Sequence, residues 1–259
     1  MMNLVQQRWY HTATRLGGSA VLLAGGQGGA GGADLLDSAG ICEPITDTIP
    51  PTTTAALVPA ANANGWNNTA VTVNLTAADN DGGSGVSRIS YAVAGAERIP
   101  NTSVPGAAAS IPIDAEGVSV VTFFASDNGG NFEPPMRAAV NIDMTRPVIT
   151  VATDTATLWP PNGRLVPVTV SGTFSDSLSG VDPASLTFQV IDSLNTIQPT
   201  GAISAGSDGA YSFTVMLQAG QRGSRLAGRQ YQIIVSGRDK ARNATSASTV
   251  VAAPRDFRR

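Results

Sequence analysis

The residues best able to do chemistry in this chain are aspartates and asparagines gathered in glycine-rich turns. Asp79, Asn80 and Asp81 stand in one such turn and Asp127, Asn128 and Asn131 in another; Asp176, Asp239 and Asn243 repeat the theme further on. Carboxylate and amide oxygens are the donors that calcium prefers, provided separate loops deliver them to one place. Asp79, Asp81, Asp127 and Asn131 are therefore the expected ligands of a calcium site. The second set is poorer, because Lys240 and Arg242 sit beside Asp239. The competing reading is that each aspartate simply bonds its own backbone as an Asx turn, which is why Asp favours such loops. Trp66 and Trp159 each precede a polar turn. An exposed indole there could stack on a sugar ring, whereas packing against the nearest strand, the expectation for both, makes it core.

Catalysis fares badly by inventory. His11 is the only histidine, so a Ser-His-Asp triad has one possible base and a two-histidine metal site cannot be assembled. Paired carboxylates could hydrolyse a glycoside. Here, however, Asp79, Asp81, Asp127 and Asp176 all lie in turns that explain them without chemistry. The single cysteine, Cys42, rules out an internal disulfide and a cysteine-cluster metal site. No enzyme and no cofactor is expected, calcium at the acidic turns being the one candidate.

The elements that must position these residues are strands. The chain holds 15 Asp against 4 Glu and 15 Arg against 1 Lys, so two good helix formers are nearly missing while Thr, Val, Ser and Gly abound. Val71-Thr72-Val73-Asn74-Leu75-Thr76-Ala77 and Val166-Pro167-Val168-Thr169-Val170-Ser171-Gly172 alternate apolar with polar, putting one face in a core and the other in water. A net charge of −3 gives no field for nucleic acid, and the nine cations from Arg222 onward read as a solvated face and tail. No apolar run reaches the roughly 20 residues of a membrane span.

Three segments recur in order. Asp47-Thr48-Ile49-Pro50-Pro51 returns as Asp143-Met144-Thr145-Arg146-Pro147, and Asp79-Asn80-Asp81-Gly82-Gly83-Ser84-Gly85-Val86 as Asp176-Ser177-Leu178-Ser179-Gly180-Val181. Phe123 to Asn131 then returns as Val235 to Asn243. The offsets, about 96, 95 and 112 residues, describe two copies of one unit with a late insertion in the second, placed at Gln218 to Gly228. A unit near 100 residues with short alternating strands is the pattern of an Ig-like sandwich. Asp47 to Thr54, rich in Pro and Thr, reads as an extended linker.

Two resemblances follow from these residues. Arg8-Trp9-Tyr10-His11-Thr12-Ala13-Thr14, the strand ending on Gly25-Gly26, and Ser38-Ala39-Gly40-Ile41-Cys42-Glu43-Pro44 resemble one bacterial kelch repeat, with a strand over Ala20–Ala24 and another near Ala39–Cys42. Copper-radical galactose oxidases carry similar blades, but their site needs several His and Tyr ligands, and one His cannot supply it. Gly65-Trp66-Asn67-Asn68 and Ala125-Ser126-Asp127-Asn128-Gly129-Gly130-Asn131 resemble a bacterial Ig-like module, and Leu158-Trp159-Pro160-Pro161-Asn162 marks a sister type.

The expected architecture is all-β: an incomplete kelch blade over 1–46, Ig-like β-sandwiches over 47–143 and 144–253, and a basic tail over 254–259. The resemblance implies a non-enzymatic structural or adhesive unit of an extracellular or cell-surface protein, monomeric, meeting a protein or a glycan. Any export signal is expected upstream of this chain, as is the rest of the propeller. The alternatives are a carbohydrate-binding module using Trp66 or Trp159, and an accessory region of a secreted enzyme.

Overall fold

The computed structural model describes residues 10–16, 20–28, 34–35, 39–42, 47–220 and 228–254, and among these there are strands and turns but no helix. Residues 255–259 of the basic tail and most of the expected insertion lie outside the described residues. Near the N-terminus, β1 (Thr12–Arg15), β2 (Val21–Ala24) and β5 (Ala39–Cys42) form a three-stranded antiparallel sheet in the order β1-β2-β5, beside the short pair β3 (Gln27–Gly28) and β4 (Asp34–Leu35). His11 is exposed, immediately before β1.

The next seven strands are β6 (Thr52–Val58), β7 (Val71–Ala78), β8 (Val86–Gly95), β9 (Ile99–Pro105), β10 (Ala108–Ile113), β11 (Gly117–Asp127) and β12 (Met136–Ile142). They make two antiparallel sheets, ordered β10-β7-β6 and β12-β11-β8-β9. The alternation seen in sequence is what joins the sheets. Val71, Val73, Leu75 and Ala77 of β7 are buried, as are Ala109, Ile111 and Ile113 of β10, and they share a core with Ile89, Val121, Phe123 and Val140 of the other sheet. Each Val, Leu, Ile or Phe among them contributes roughly 1.5–3 kcal/mol by leaving water, and the alanines less.

The seven positions recur in β13 (Val148–Ile149) with β14 (Ala152–Thr153), then β15 (Leu165–Ser175), β16 (Val181–Asp192), β17 (Thr200–Ala202), β18 (Ala210–Gln218), β19 (Arg229–Asp239) and β20 (Ala244–Ala253). β13, β14 and β18 flank β15 in one sheet; the other runs β17-β16-β19-β20. The core has two lobes, around Val168, Leu217 and Tyr231 and around Phe174, Leu186 and Val235. Phe188 and Phe213, stacked with centroids 4.4 Å apart, pack against both. Three strands facing four, in the same order twice, define two Ig-like β-sandwiches.

One local feature differs from the expectation. Thr52 to Thr54, read as linker, begin β6, and Thr53 is buried with its amide donating to Glu133 Oε2 at 2.9 Å and its hydroxyl to Oε1. Glu133 also accepts the Ala125 amide at 2.6 Å, so one carboxylate ties β6 to β11. No residue alternation could have announced that pairing.

Candidate functional site: paired carboxylate clusters

Each sandwich gathers three aspartates at one end. In the first, Asp47 precedes β6, Asp79 follows β7 and Asp127 ends β11; one carboxylate oxygen from each lies within 4.8 Å of the others. In the second, Asp143, Asp176 and Asp239 take the corresponding places with the same spacing. Like charges this close repel, so their hydrogen bonds decide how the cluster survives.

In the first cluster, Asp47 accepts the amides of Ser84 at 2.9 Å and Ile49 at 3.1 Å, and these hold its carboxyl below the ordinary aspartate value. Asp79 accepts Asn80 N at 2.9 Å and Gly85 N at 2.6 Å. Asp127 accepts both the backbone amide of Asn131, at 2.8 Å, and its side-chain Nδ2, at 2.7 Å. The Asn131 Nδ2 donates as well to the carbonyl of Asp47 at 2.9 Å, closing the ring of loops. A Cβ at Gly83 would lie 2.7 Å from Asp79 Oδ2 and 2.8 Å from Asn80 Oδ1, so both oxygens converge on that glycine. Asn80 Oδ1 is buried without a hydrogen-bond partner.

The second cluster repeats this wiring. Asp143 accepts Thr145 N at 3.1 Å and Ser179 N at 3.0 Å; Asp176 accepts Leu178 N at 3.1 Å and Gly180 N at 2.7 Å. Asn243 donates its backbone and side-chain amides to Asp239, both at 2.8 Å, and its Nδ2 reaches the Asp143 carbonyl at 2.7 Å. Burial pushes the Asp239 carboxyl up; the Asn243 hydrogen bonds oppose it, and the charges of Asp143 and Asp176 add to it.

The expected ligand set is thus regrouped. Asp79 and Asp127 stand together. Asp81 is exposed and outside the group, and Asp47, read from sequence as linker, stands in its place. Asn131 turns its amide nitrogen toward the carboxylates, which makes it a clamp. The second cluster, read as the poorer, has equal geometry. The sequence signal for Asp47 and Asp143 was present in the repeat, which places an aspartate at the start of both copies. Among the described residues neither cluster pairs with a cation; the ion pair there is Asp192 with Arg229, at the other end of the second sandwich. The tryptophans part company. Trp66 is half-buried, its amide donating to Asn62 Oδ1, but Trp159 is 71% exposed, against the expectation of packing.

No family model matches the chain, and no curated protein matches it. Among solved structures, fibronectin(III)-like modules of Clostridium thermocellum CbhA align at 13% identity over 79% of this chain and 95% of theirs, with a TM-score of 0.33. A titin domain segment aligns at 11% over 95% and 83%, TM-score 0.44, and the D00-D0 domain of intimin at 13% over 77% and 98%, TM-score 0.30. The assignment of the fold rests on the strand order and register above.

Proposed function

We propose that this chain is a non-catalytic structural or adhesive unit of an extracellular or surface protein, whose two sandwiches, 47–143 and 144–253, act as a stiff spacer. The observation that carries this reading is the joint at Asp143. Its side chain is fully buried, its amide donates to the Asn67 carbonyl at 2.9 Å, its carboxylate accepts from Ser179, and its own carbonyl is taken by Asn243. Asn62 and Asn64, from the first sandwich, both donate side-chain amides to the carbonyl of Lys240 in the second, at 2.9 and 3.0 Å. A linker whose polar groups are committed to both sides has little freedom to bend. Small-angle X-ray scattering tests this: one extended shape is expected, and a profile requiring a broad ensemble of inter-domain angles defeats the spacer reading.

The carboxylate clusters belong to the same proposal, with calcium as their counter-ion. Three carboxylates, backed in the first sandwich by the unpartnered Oδ1 of Asn80, form an all-oxygen donor set that a hard cation fits. Asp47, Asp79 and Asp127 would hold it in the first sandwich and Asp143, Asp176 and Asp239 in the second. Its charge would relieve the repulsion and stiffen both junctions.

A glycan-binding reading survives at Trp159, on the strength of its exposure. Quenching or shift of indole fluorescence by neutral oligosaccharides, lost in Trp159→Ala, would support it.

A further inference from the structure

We infer that the second sandwich carries a binding cleft for an anionic oligosaccharide, formed by Arg146, Arg238 and Arg242, bordering the carboxylate cluster at Asp239 and separate from Trp159. A concave cleft of about 720 Å³ opens beside β16, β19 and β20, a size within the usual range of ligand sites. All three arginines line it and are exposed, and among the described residues none of their guanidinium groups makes a hydrogen bond or an ion pair. Guanidinium is the side chain whose forked donors match carboxylate and sulfate oxygens two at a time.

Comparison of the two copies shows that these three arginines belong to the second alone, the first having there a single arginine, Arg88, whose Nε donates to Ser126 Oγ at 3.3 Å. By the internal repeat, Arg146, Arg238 and Arg242 stand where the first sandwich has Pro50, Ser126 and Gly130. The last exchange is the most informative. Gly130 has φ +91°, in the left-handed region that suits glycine, and Arg242 holds φ +78° at the same place. A bulky residue kept in a conformation its sister position gives to glycine is strain of the kind found at binding sites.

The cleft wall is also particular to this copy. On β16, residues 183–186 stand between Asp182, opposite Arg238, and Thr187, opposite Ser236, so four residues face the single Gly237. The first sandwich has a one-residue irregularity there, Ser87 between the pairs Asp127–Val86 and Ser126–Arg88. The large bulge is fixed. Ser185 Oγ accepts the Arg238 amide at 2.8 Å and donates to the carbonyl of Asp182, whose carboxylate accepts the Ala184 amide at 3.2 Å. The other acid of the lining, Asp239, has its carboxylate in the three-aspartate cluster.

The rest of the lining decides the ligand class. It offers hydroxyls such as Ser236, Thr245 and Ser246 and no aromatic ring. Nucleobases want stacking surfaces, and protein hot spots join arginine to buried aromatic anchors; among the described residues no such ring lines the cleft. A chain of sugar rings bearing carboxylates or sulfates meets both the guanidinium groups and the hydroxyls. The choice of a glycan rests on the surface-protein reading; the cleft itself lies in one sandwich and does not depend on a stiff joint.

The test is calorimetric titration of the full chain, in about 0.15 M salt where loose polyelectrolyte attraction is screened. The probes are a heparin hexasaccharide, a hexagalacturonate and a twelve-residue oligothymidylate. Saturable binding of at least one anionic sugar, well above the oligothymidylate, is expected, and which sugar wins tells sulfate from carboxylate. Arg242→Gly should weaken that binding about tenfold, as loss of a charge-assisted contact does, while the melting temperature holds or rises because the strain is removed. Arg238→Ser, which restores the first-sandwich residue, should weaken binding similarly. Absence of binding to both sugars, equal binding of oligothymidylate, or undiminished binding by Arg242→Gly would each overturn the inference. A flexible scattering profile with binding intact would remove the spacer reading and leave the cleft.

Discussion

Asn243 closes its side-chain amide on the carbonyl of Asp143 at 2.7 Å, and Asn131 does the same to Asp47 at 2.9 Å. The same clamp therefore guards the entrance to each sandwich. In both copies the asparagine is held by an aspartate four residues before it, Asp239 or Asp127, so loop, strand end and linker form one hydrogen-bonded unit. In the second copy that unit is also the joint between the sandwiches.

Asn243→Ala should loosen this joint. The variant leaves the carbonyl of Asp143 without its donor, and an unsatisfied buried group costs about 1–3 kcal/mol. Chemical denaturation should show a loss of that order, and scattering should show a wider range of inter-domain angles than the parent chain.

Calcium should raise the melting temperature of the full chain, since a ligand bound by the native state alone stabilises by mass action, about 2.7 kcal/mol at one hundred times Kd. Asp127→Asn should reduce the shift, and Asp81→Asn should leave it intact, because Asp81 stands outside the cluster. Equal melting with calcium and with chelator would remove the cation from the proposal.

The buried pair Asp192–Arg229 should be costly to break from one side. Arg229 Nε donates to Asp192 Oδ1 at 2.9 Å, its second amino group reaches Oδ2, and the guanidinium lies 4.8 Å from the Tyr231 ring centroid. Arg229→Met should cost about 3–5 kcal/mol in denaturant unfolding, with the double variant Asp192→Leu/Arg229→Met recovering part of it.

The same carboxylate sets an acid limit. Burial acts to raise Asp192, but the Arg229 hydrogen bonds and the amides of Leu194, Ile197 and Thr196 outweigh it, so its carboxyl sits well below the usual range. A depressed carboxyl stabilises the fold fully above the unfolded value, about 3.9, and the contribution drains away as pH falls below it. Unfolding free energy should therefore drop between pH 5 and pH 2, with a shallower slope in Arg229→Met. An unchanged slope would mean that other carboxylates govern acid unfolding.

Gly172→Ala should destabilise the second sandwich by about 1–3 kcal/mol, the usual cost of overpacking. A Cβ there would fall 1.9 Å from the Thr150 carbonyl oxygen, to which the Tyr211 hydroxyl donates, and 2.7 Å from that hydroxyl. The thermal midpoint should fall without a change in the first-sandwich core.

Much of the fold was legible from the sequence, because strand identity depends on local alternation. Val71 to Ala77 alternates residue by residue, and burying one face of β7 needs nothing from elsewhere in the chain to be foreseen. The repeat likewise announced two equivalent units, since covalent order preserves it. Asp79 and Asp127 were readable as candidates for the same reason, being oxygen donors in glycine-rich turns.

What only the tertiary structure decided is which residues meet. Asp81 looks the better ligand in sequence and Asp47 a linker residue, yet the turn through Gly82 and Gly85, both at positive φ, leaves Asp81 in water and sets Asp79 against Asp47, more than thirty positions away. Trp66 and Trp159 each precede a polar turn but do not share an environment, because burial depends on the neighbouring strands. The arginines were countable and their meeting was not. Arg146, Arg238 and Arg242 come to one cleft because β16 bulges against Gly237 and Asn243 holds the carbonyls of Asp143 and Thr145 beside the end of β19, contacts fixed by three-dimensional packing and invisible to any local pattern.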